Sequence, residues 1–244
     1  MNLTIDIGNS RIKFAVFNND KIVDIITKTA FSISDITNIL FTYPKIKFAI
    51  LSTVKNIEST IISYLKSNLS FFIYLDENSK IPIENLYQTK STLGKDRLAA
   101  IIGANNIFPD TSVLVIDAGT AITFDFINKN KQYLGGTISP GLEMRFKALN
   151  YFTNKLPLLN KNEDFNLIAV NTVKAIISGV QNGMIFEIEG YIDNLKNKYD
   201  DLKIILTGGD AIFFDKKLKN TIFVNLNIIN IGLNRILEHN KSYD

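Results

Sequence analysis

A short pattern occurs twice in this chain, at Leu3 to Asn18 and again at Leu114 to Lys129. In the first copy Leu3-Thr4-Ile5-Asp6-Ile7-Gly8-Asn9-Ser10 leads into Ile12-Lys13-Phe14-Ala15-Val16-Phe17 and a polar turn at Asn18-Asn19-Asp20. In the second, Leu114-Val115-Ile116-Asp117-Ala118-Gly119-Thr120 leads into Ile122-Thr123-Phe124-Asp125-Phe126-Ile127 and then Asn128-Lys129-Asn130. Each copy is an apolar run, a D-x-G-[N/T] turn, a second apolar run and a polar turn, which is how a β-hairpin reads. Recurrence of one unit predicts a duplicated domain. A chain of 244 residues divides naturally into two lobes of roughly 100 to 150 residues, here residues 1–111 and 112–244.

Behind each hairpin, strands alternate with helical stretches, as an α/β lobe requires. Lys47 to Thr53 and Phe71 to Leu75 read as strands flanking a helix near Asn56 to Ser67. Asp96 to Phe108, with Leu98, Ile101, Ile102 and Ile107 at helical spacing, predicts a helix closing the first lobe. In the second lobe Val170 to Tyr199 is the longest helical pattern, with a break expected near Gly183. Lys203 to Leu206 is a strand ending at Thr207-Gly208-Gly209-Asp210, and Ile229 to His239 is a terminal helix. Duplicated lobes that each open on an Asp-Gly hairpin are the pattern of the actin, hexokinase and Hsp70 superfamily. That likeness implies an α/β fold with ATP in the cleft between the lobes.

Composition removes several function classes. With 46% hydrophobic residues the chain has ample material for a packed core, so disorder is excluded. The net charge is only +3 and the lysines are scattered, so nucleic acid is not an expected partner. Cysteine is absent, which rules out disulfides and thiolate metal sites and makes the cytoplasm the expected compartment. No apolar stretch approaches the ~20 residues of a membrane span, and Met1 leads into a strand pattern without a signal-like region.

The chemistry-bearing residues fall in three places. Gly8 and Gly119 lack a Cβ and so let backbone N–H groups approach a phosphate chain in a tight turn; Asn9, Ser10 and Thr120 add side-chain donors. Lys13, on the strand after the first turn, is placed to set a point charge on a β- or γ-phosphate. Asp6 and Asp117 end their strands, and a carboxylate there holds Mg2+ directly or through water; Asp117 alternatively ligates a monovalent cation. The third place is Gly94-Lys95-Asp96-Arg97 at a helix start, where free N–H groups favour anions. There Arg97 suits a two-pronged carboxylate contact and Asp96 is the candidate general base for phosphorylating an alcohol. A plain alternative is a capped helix with Arg97 in a surface ion pair.

Taken together these motifs resemble those of the type III pantothenate kinases. Asp6 to Lys13 looks like that family's D-x-G-N-[ST]-x-x-K nucleotide motif, and Gly94-Lys95-Asp96-Arg97 like its G-x-D-R substrate motif. Asp117 to Thr123 resembles D-x-G-T-A-x-T, and Gly135-Gly136-Thr137-Ile138-Ser139-Pro140-Gly141 resembles G-G-x-I-x-P-G. The likeness spans nearly the whole chain, in order. It implies ATP-dependent phosphorylation of pantothenate to 4'-phosphopantothenate, the first step of coenzyme A synthesis, with Asp96 as base and Asp117 holding a monovalent cation such as K+ or NH4+. It implies that Thr120 contacts ATP, that Mg2+ lies near Asp6, and that pantothenate is bound by Tyr87, Gly94, Lys95, Arg97 and Thr172. A homodimer whose acceptor pockets are completed across the interface is implied as well. The chain departs from the family between Tyr87 and Gly94, where Gln88-Thr89-Lys90-Ser91-Thr92 replaces a Pro-containing loop.

Two other readings compete: another small-molecule kinase with the same ATP site and a different acceptor pocket, and a nucleotide-binding regulator that has lost catalysis. G-x-D-R argues against the first. Against the second, Lys13, Asp96, Arg97 and Asp117 are all present. His239, the only histidine, is expected at the surface; Gly208-Gly209 suits an adenine or ribose contact or simply a tight turn; Phe213-Phe214 reads as core or interface, and Lys216-Lys217 as a solvated turn.

Overall fold

The computed structural model describes residues 1–241; the last residues of the expected second lobe, 242–244, lie outside them. From the N-terminus run β1 (Asn2–Ile7), β2 (Ile12–Asn18), β3 (Lys21–Lys28), α1 (Ile33–Thr42), β4 (Phe48–Thr53), α2 (Ser59–Asn68), β5 (Phe71–Tyr74), β6 (Glu84–Asn85) and α3 (Lys95–Ile107). Then follow β7 (Val113–Ala118), β8 (Ala121–Ile127), β9 (Gln132–Pro140), α4 (Leu142–Phe152), α5 (Thr172–Lys196), β10 (Lys203–Thr207), α6 (Ala211–Asp215), β11 (Phe223–Val224) and α7 (Ile228–Lys241). Two compact units result: Met1–Pro109 with Lys131–Leu134 and the segment from Asn227 on, and Asp110–Asn130 with Gly135–Leu226.

In the first unit the strand order is β3-β2-β1-β4-β5, with β1 antiparallel to β2 and parallel to β4. Side chains alternate along a strand, and on β1 the alternation separates two kinds of core. Leu3, Ile5 and Ile7 enter an apolar cluster with Phe14, Val16, Leu51 and the inner faces of α1 and α2, including Ile36 and Leu65. Asn2 and Thr4 face the other way, yet are 2% and 0% exposed. Buried polar groups need partners, and α7 supplies them from one stripe. Asn2 donates to Asn234 Oδ1 at 2.7 Å, Asn230 donates to Thr4 Oγ1 at 2.9 Å, and Asn234 donates to the Asn19 carbonyl at 3.1 Å.

The terminal helix therefore packs in the first unit, not in a lobe running from 112 to the end. Glycine explains the attachment. A Cβ on Gly232 would lie 1.7 Å from the Ala99 carbonyl oxygen, and one on Gly103 would lie 2.3 Å from that of Ile228, so α7 and α3 touch backbone to backbone. This contact sets where the first turn of α3 stands.

The second unit has the strand order β11-β10-β7-β8-β9, with β7 antiparallel to β8 and parallel to β10. Its core gathers Leu114, Ile116, Phe124, Phe146, Met184 and Leu206 among others. The pairing of β1 with β2 and β4 is thus repeated by β7 with β8 and β10. Helix α5 runs unbroken from Thr172 to Lys196, against the break expected at Gly183. A Cβ on Gly183 would meet nothing within 4 Å, and a single helical glycine costs only about 1 kcal/mol, less than interrupting the buried row Ile177, Val180, Gln181, Met184 and Ile188.

Candidate functional site

The first hairpin brings its predicted residues together. Asp6 lies opposite Lys13 on β2 and in register with Ser52 on β4, so β2, β1 and β4 present an ammonium, a carboxylate and a hydroxyl in one row. The turn closes with the Gly8 N–H donating to the Arg11 carbonyl at 3.0 Å, and a Cβ on Gly8 would come within 3.2 Å of that oxygen. Asn9 and Ser10 stand exposed at its tip. Lys13 Nζ donates to Asn227 Oδ1 at 3.5 Å, immediately before α7.

The second hairpin is built on the same register with different neighbours. Asp117 lies opposite Thr123 on β8 and beside Thr207 on β10, so hydroxyls flank it on both sides. Its turn, Gly119-Thr120, is enclosed by backbone. A Cβ on Gly141 would lie 2.3 Å from the Thr120 carbonyl oxygen and 2.4 Å from that of Gly119. The Gly141 approach is held by α4, whose Arg145 donates from Nε to the Pro140 carbonyl at 2.8 Å, pairs with Ser139 at 3.1 Å and bridges to Glu187. From β10, Gly208 adopts φ +96°, where a side chain would also strike Ala118 and the Asp117 carboxylate. The Asp210 N–H then donates to the Ala118 carbonyl at 2.9 Å. Gly208-Gly209 is therefore a turn pressed against the second hairpin.

The third group stands at the start of α3. Gly94 occupies the N-cap, and a Cβ there would lie 2.5 Å from Asp96 Oδ1, so a side chain at 94 would displace the carboxylate from its present position. Asp96 Oδ1 accepts from the Arg97 backbone N–H at 2.8 Å, at the helix end where unpaired N–H groups favour negative charge. The Arg97 side chain is buried, 7% exposed, which excludes the surface ion pair. Its guanidinium carbon sits 5.6 Å from the Tyr87 ring centroid, a cation–π distance. Tyr87 in turn stacks on Tyr133 at 6.1 Å and 7°, its N–H donating to Asn85 Oδ1 at 3.0 Å. Lys95 reaches Glu77 at 3.7 Å. The departure at Gln88–Thr92 does not separate Tyr87 from Arg97, because β6 pairs with the start of β9 at Asn85 and Tyr133. Thr172 opens α5 in the second unit, exposed, after the N-cap Asn171.

A family model for type III pantothenate kinases matches residues 2–194. The chain belongs to that family. A type III pantothenate kinase of Phocaeicola vulgatus is 44% identical over 240 residues, 98% of this chain and 99% of its relative. Among solved structures, a Campylobacter jejuni chain described as a conserved Baf family transcriptional activator superposes with a TM-score of 0.64 at 25% identity, covering 98% of this chain and 99% of that one. Listeria monocytogenes Lmo2764, described as an N-acetylmannosamine kinase, gives a TM-score of 0.54 at 12% identity over 100% of this chain and 99% of its own. That likeness is one of fold, α/β.

The two strand-end aspartates have neighbours of one chemical kind. No cluster of three His, Cys, Asp or Glu side chains stands ready to cage a metal among the described residues. Asp6 with Ser52, and Asp117 with Thr123 and Thr207, are small all-oxygen sets. Such sets fit hard cations that bring phosphate and water ligands with them. No helix among the described residues is long and apolar enough to cross a membrane. His239 is partly buried rather than at the surface; burial, then Arg235 and Lys80, hold its imidazole below its usual value. Asn227 has no assigned role in the sequence reading, and Gly141 enters it only as the end of the Gly135 to Gly141 motif. The sequence signal for Asn227 is its helical spacing with Asn230 and Asn234.

Proposed function

We infer that this chain transfers the γ-phosphoryl group of ATP to the primary hydroxyl of pantothenate, giving ADP and 4'-phosphopantothenate. The observation that carries the reading is the start of α3, where the Asp96 carboxylate is held at the helix N-terminus directly beside a buried Arg97 and Tyr87. In this reading the acceptor hydroxyl loses its proton to Asp96 as its oxygen bonds to the γ-phosphorus and the bond to the ADP oxygen breaks. Arg97 grips the pantothenate carboxylate with two hydrogen bonds, Tyr87 limits the pocket, and Gly94 and Lys95 complete it. Asp6, Gly8, Asn9, Ser10 and Lys13, together with Gly119 and Thr120, bind ATP. Asp6 holds Mg2+, in part through water, and Asp117 holds K+ or NH4+; these cations supply charge neutralisation along the phosphates when bound.

The active species in this reading is a homodimer in the cytoplasm. Its support is the exposure of large apolar side chains on the second unit, where Tyr151, Phe152, Leu167, Ile168 and Val170 are 66–95% exposed, a feature that often marks an interaction site when such residues adjoin. Thr172 is exposed and follows Val170 by two residues in the chain. In a homodimer it would serve the partner's acceptor pocket.

Purified protein with ATP, Mg2+ and pantothenate tests the reading. Asp96→Asn keeps nucleotide binding and lowers kcat by roughly 100- to 10,000-fold. Turnover within about threefold of wild type would remove Asp96 as the base. Turnover only with another acceptor would favour a different small-molecule kinase, and binding without turnover a regulator. For the dimer, Asp96→Asn and Thr172→Val chains, each inactive alone, regain activity when mixed; a monomer by sedimentation would overturn this part.

A further inference from the structure

Resting on the ATP-site reading above, we propose that the Ser52 hydroxyl is a further ligand-binding group of the Asp6 site. It donates its proton to an oxygen of the nucleotide polyphosphate or of its cation-bound water.

Three observations carry this. The first is register. β1 and β4 are parallel neighbours with Asp6 and Ser52 paired, and strand alternation puts both side chains on the face opposite Leu3, Ile5 and Ile7. Neighbouring strands stand about 4.8 Å apart, so one small oxygen ligand bound at Asp6 comes within reach of Ser52 Oγ.

The second is an unmet hydroxyl. Ser52 is 1% exposed and its Oγ has no hydrogen-bond partner. Burying such a group costs stability, and the same face of β4 carries Ile50, fully buried, so an apolar residue was open to this strand. Thr4, two residues before Asp6 on β1, is by contrast satisfied by Asn230. The unsatisfied hydroxyl stands beside the carboxylate, at the end of the strand where a ligand would complete it.

The third is repetition. In the second unit Thr207, 3% exposed, stands in the same parallel register beside Asp117. Both strand-end carboxylates thus have a buried hydroxyl on the next parallel strand, though the residues opposite them on the hairpin, Lys13 and Thr123, differ in charge. A feature kept while its neighbour changes points to the shared ligand chemistry, oxygen atoms around a cation or phosphate.

The test uses the full chain as wild type, Ser52→Ala and Ser52→Thr. Thermal melts without ligand are combined with calorimetric titration of a non-hydrolysable ATP analogue, once with Mg2+ and once with EDTA. Ser52→Ala should melt no lower than wild type, because it removes an unmet buried hydroxyl, and yet bind the analogue roughly tenfold more weakly. Ser52→Thr, which keeps the hydroxyl, should stay within about threefold of wild type. Weakening in both titrations supports a phosphate contact, and weakening only with Mg2+ supports a contact to cation-bound water. Wild-type affinity in Ser52→Ala, with or without a lower melting temperature, would overturn the proposal. A wild-type chain that binds no analogue would instead overturn the ATP-site reading itself.

Discussion

The two hairpins make the most instructive comparison in the molecule. Both place an aspartate at the end of a strand, a hydroxyl residue beside it on a parallel strand and a glycine in the following turn. They differ in what stands opposite and what surrounds the turn. The first has Lys13 opposite Asp6 and a turn whose tip, Asn9 to Arg11, is exposed. The second has Thr123 opposite Asp117 and a turn walled by Gly141, with Gly208 against its strand. Duplication has kept the backbone geometry and let the charge diverge. An ammonium opposite a carboxylate offsets part of its charge, whereas hydroxyls on either side offer dipoles but no charge.

The largest effect that would break this comparison concerns the walled turn. Gly141→Ala forces a Cβ into two carbonyl oxygens and should cost about 3 kcal/mol or more. Gly8→Ala meets one oxygen at 3.2 Å and should cost roughly 1 kcal/mol. Chemical denaturation of both variants checks the ranking, and equal losses would show that the turns are not differently enclosed.

Next in size is the charge difference. Lys13→Met should lower kcat/KM for ATP by about 100-fold, near 2.7 kcal/mol, while Thr123→Val lowers it by less than about fivefold. Steady-state kinetics on the pair would break the comparison if the order reversed.

Asp117→Asn should reduce activity by about tenfold and flatten the response to K+ or NH4+. Asp6→Asn should leave that response in proportion while raising the Mg2+ requirement. Rates in Tris buffer with and without K+, at constant ionic strength, decide this. If wild type runs equally fast in every buffer, no monovalent cation distinguishes the second hairpin.

The smallest effect serves as a control far from either turn. Asp35 caps α1, bonded to Lys28 and to the Ser32 N–H at 2.8 Å, and these hydrogen bonds, Lys28 first, hold its carboxyl below the usual carboxylate value. A depressed value means that the stabilisation is present above the unfolded-state value and is lost as pH falls through the folded one. Asp35→Asn should therefore lower the melting temperature by about 1–2 °C near neutral pH and by less in acid, with the ATP KM unchanged.

Much of this was legible in the residues. The hairpins, both aspartates and the helix opening at Gly94 to Arg97 follow from local pattern, because strand period and turn chemistry are local properties. The partners of those residues were not legible. Nothing in the spacing of Asn227, Asn230 and Asn234 says which strand they satisfy, and Gly183 looks like a helix break until the buried row on either side of it is seen.

The sequence by itself determined that an acidic residue closes each first strand, that glycine follows it, and that Asp96 and Arg97 begin a helix. Only the tertiary structure decided that α7 returns to the first unit, that Gly103 and Gly232 let it touch α3, and that Ser52 and Thr207 stand beside the two carboxylates. The physical reason is range. Backbone dihedrals, caps and alternation act over a few residues and leave their mark in the order of letters, whereas strand register and backbone-to-backbone packing join positions more than a hundred residues apart, such as Ala99 and Gly232, and exist only once the chain has folded.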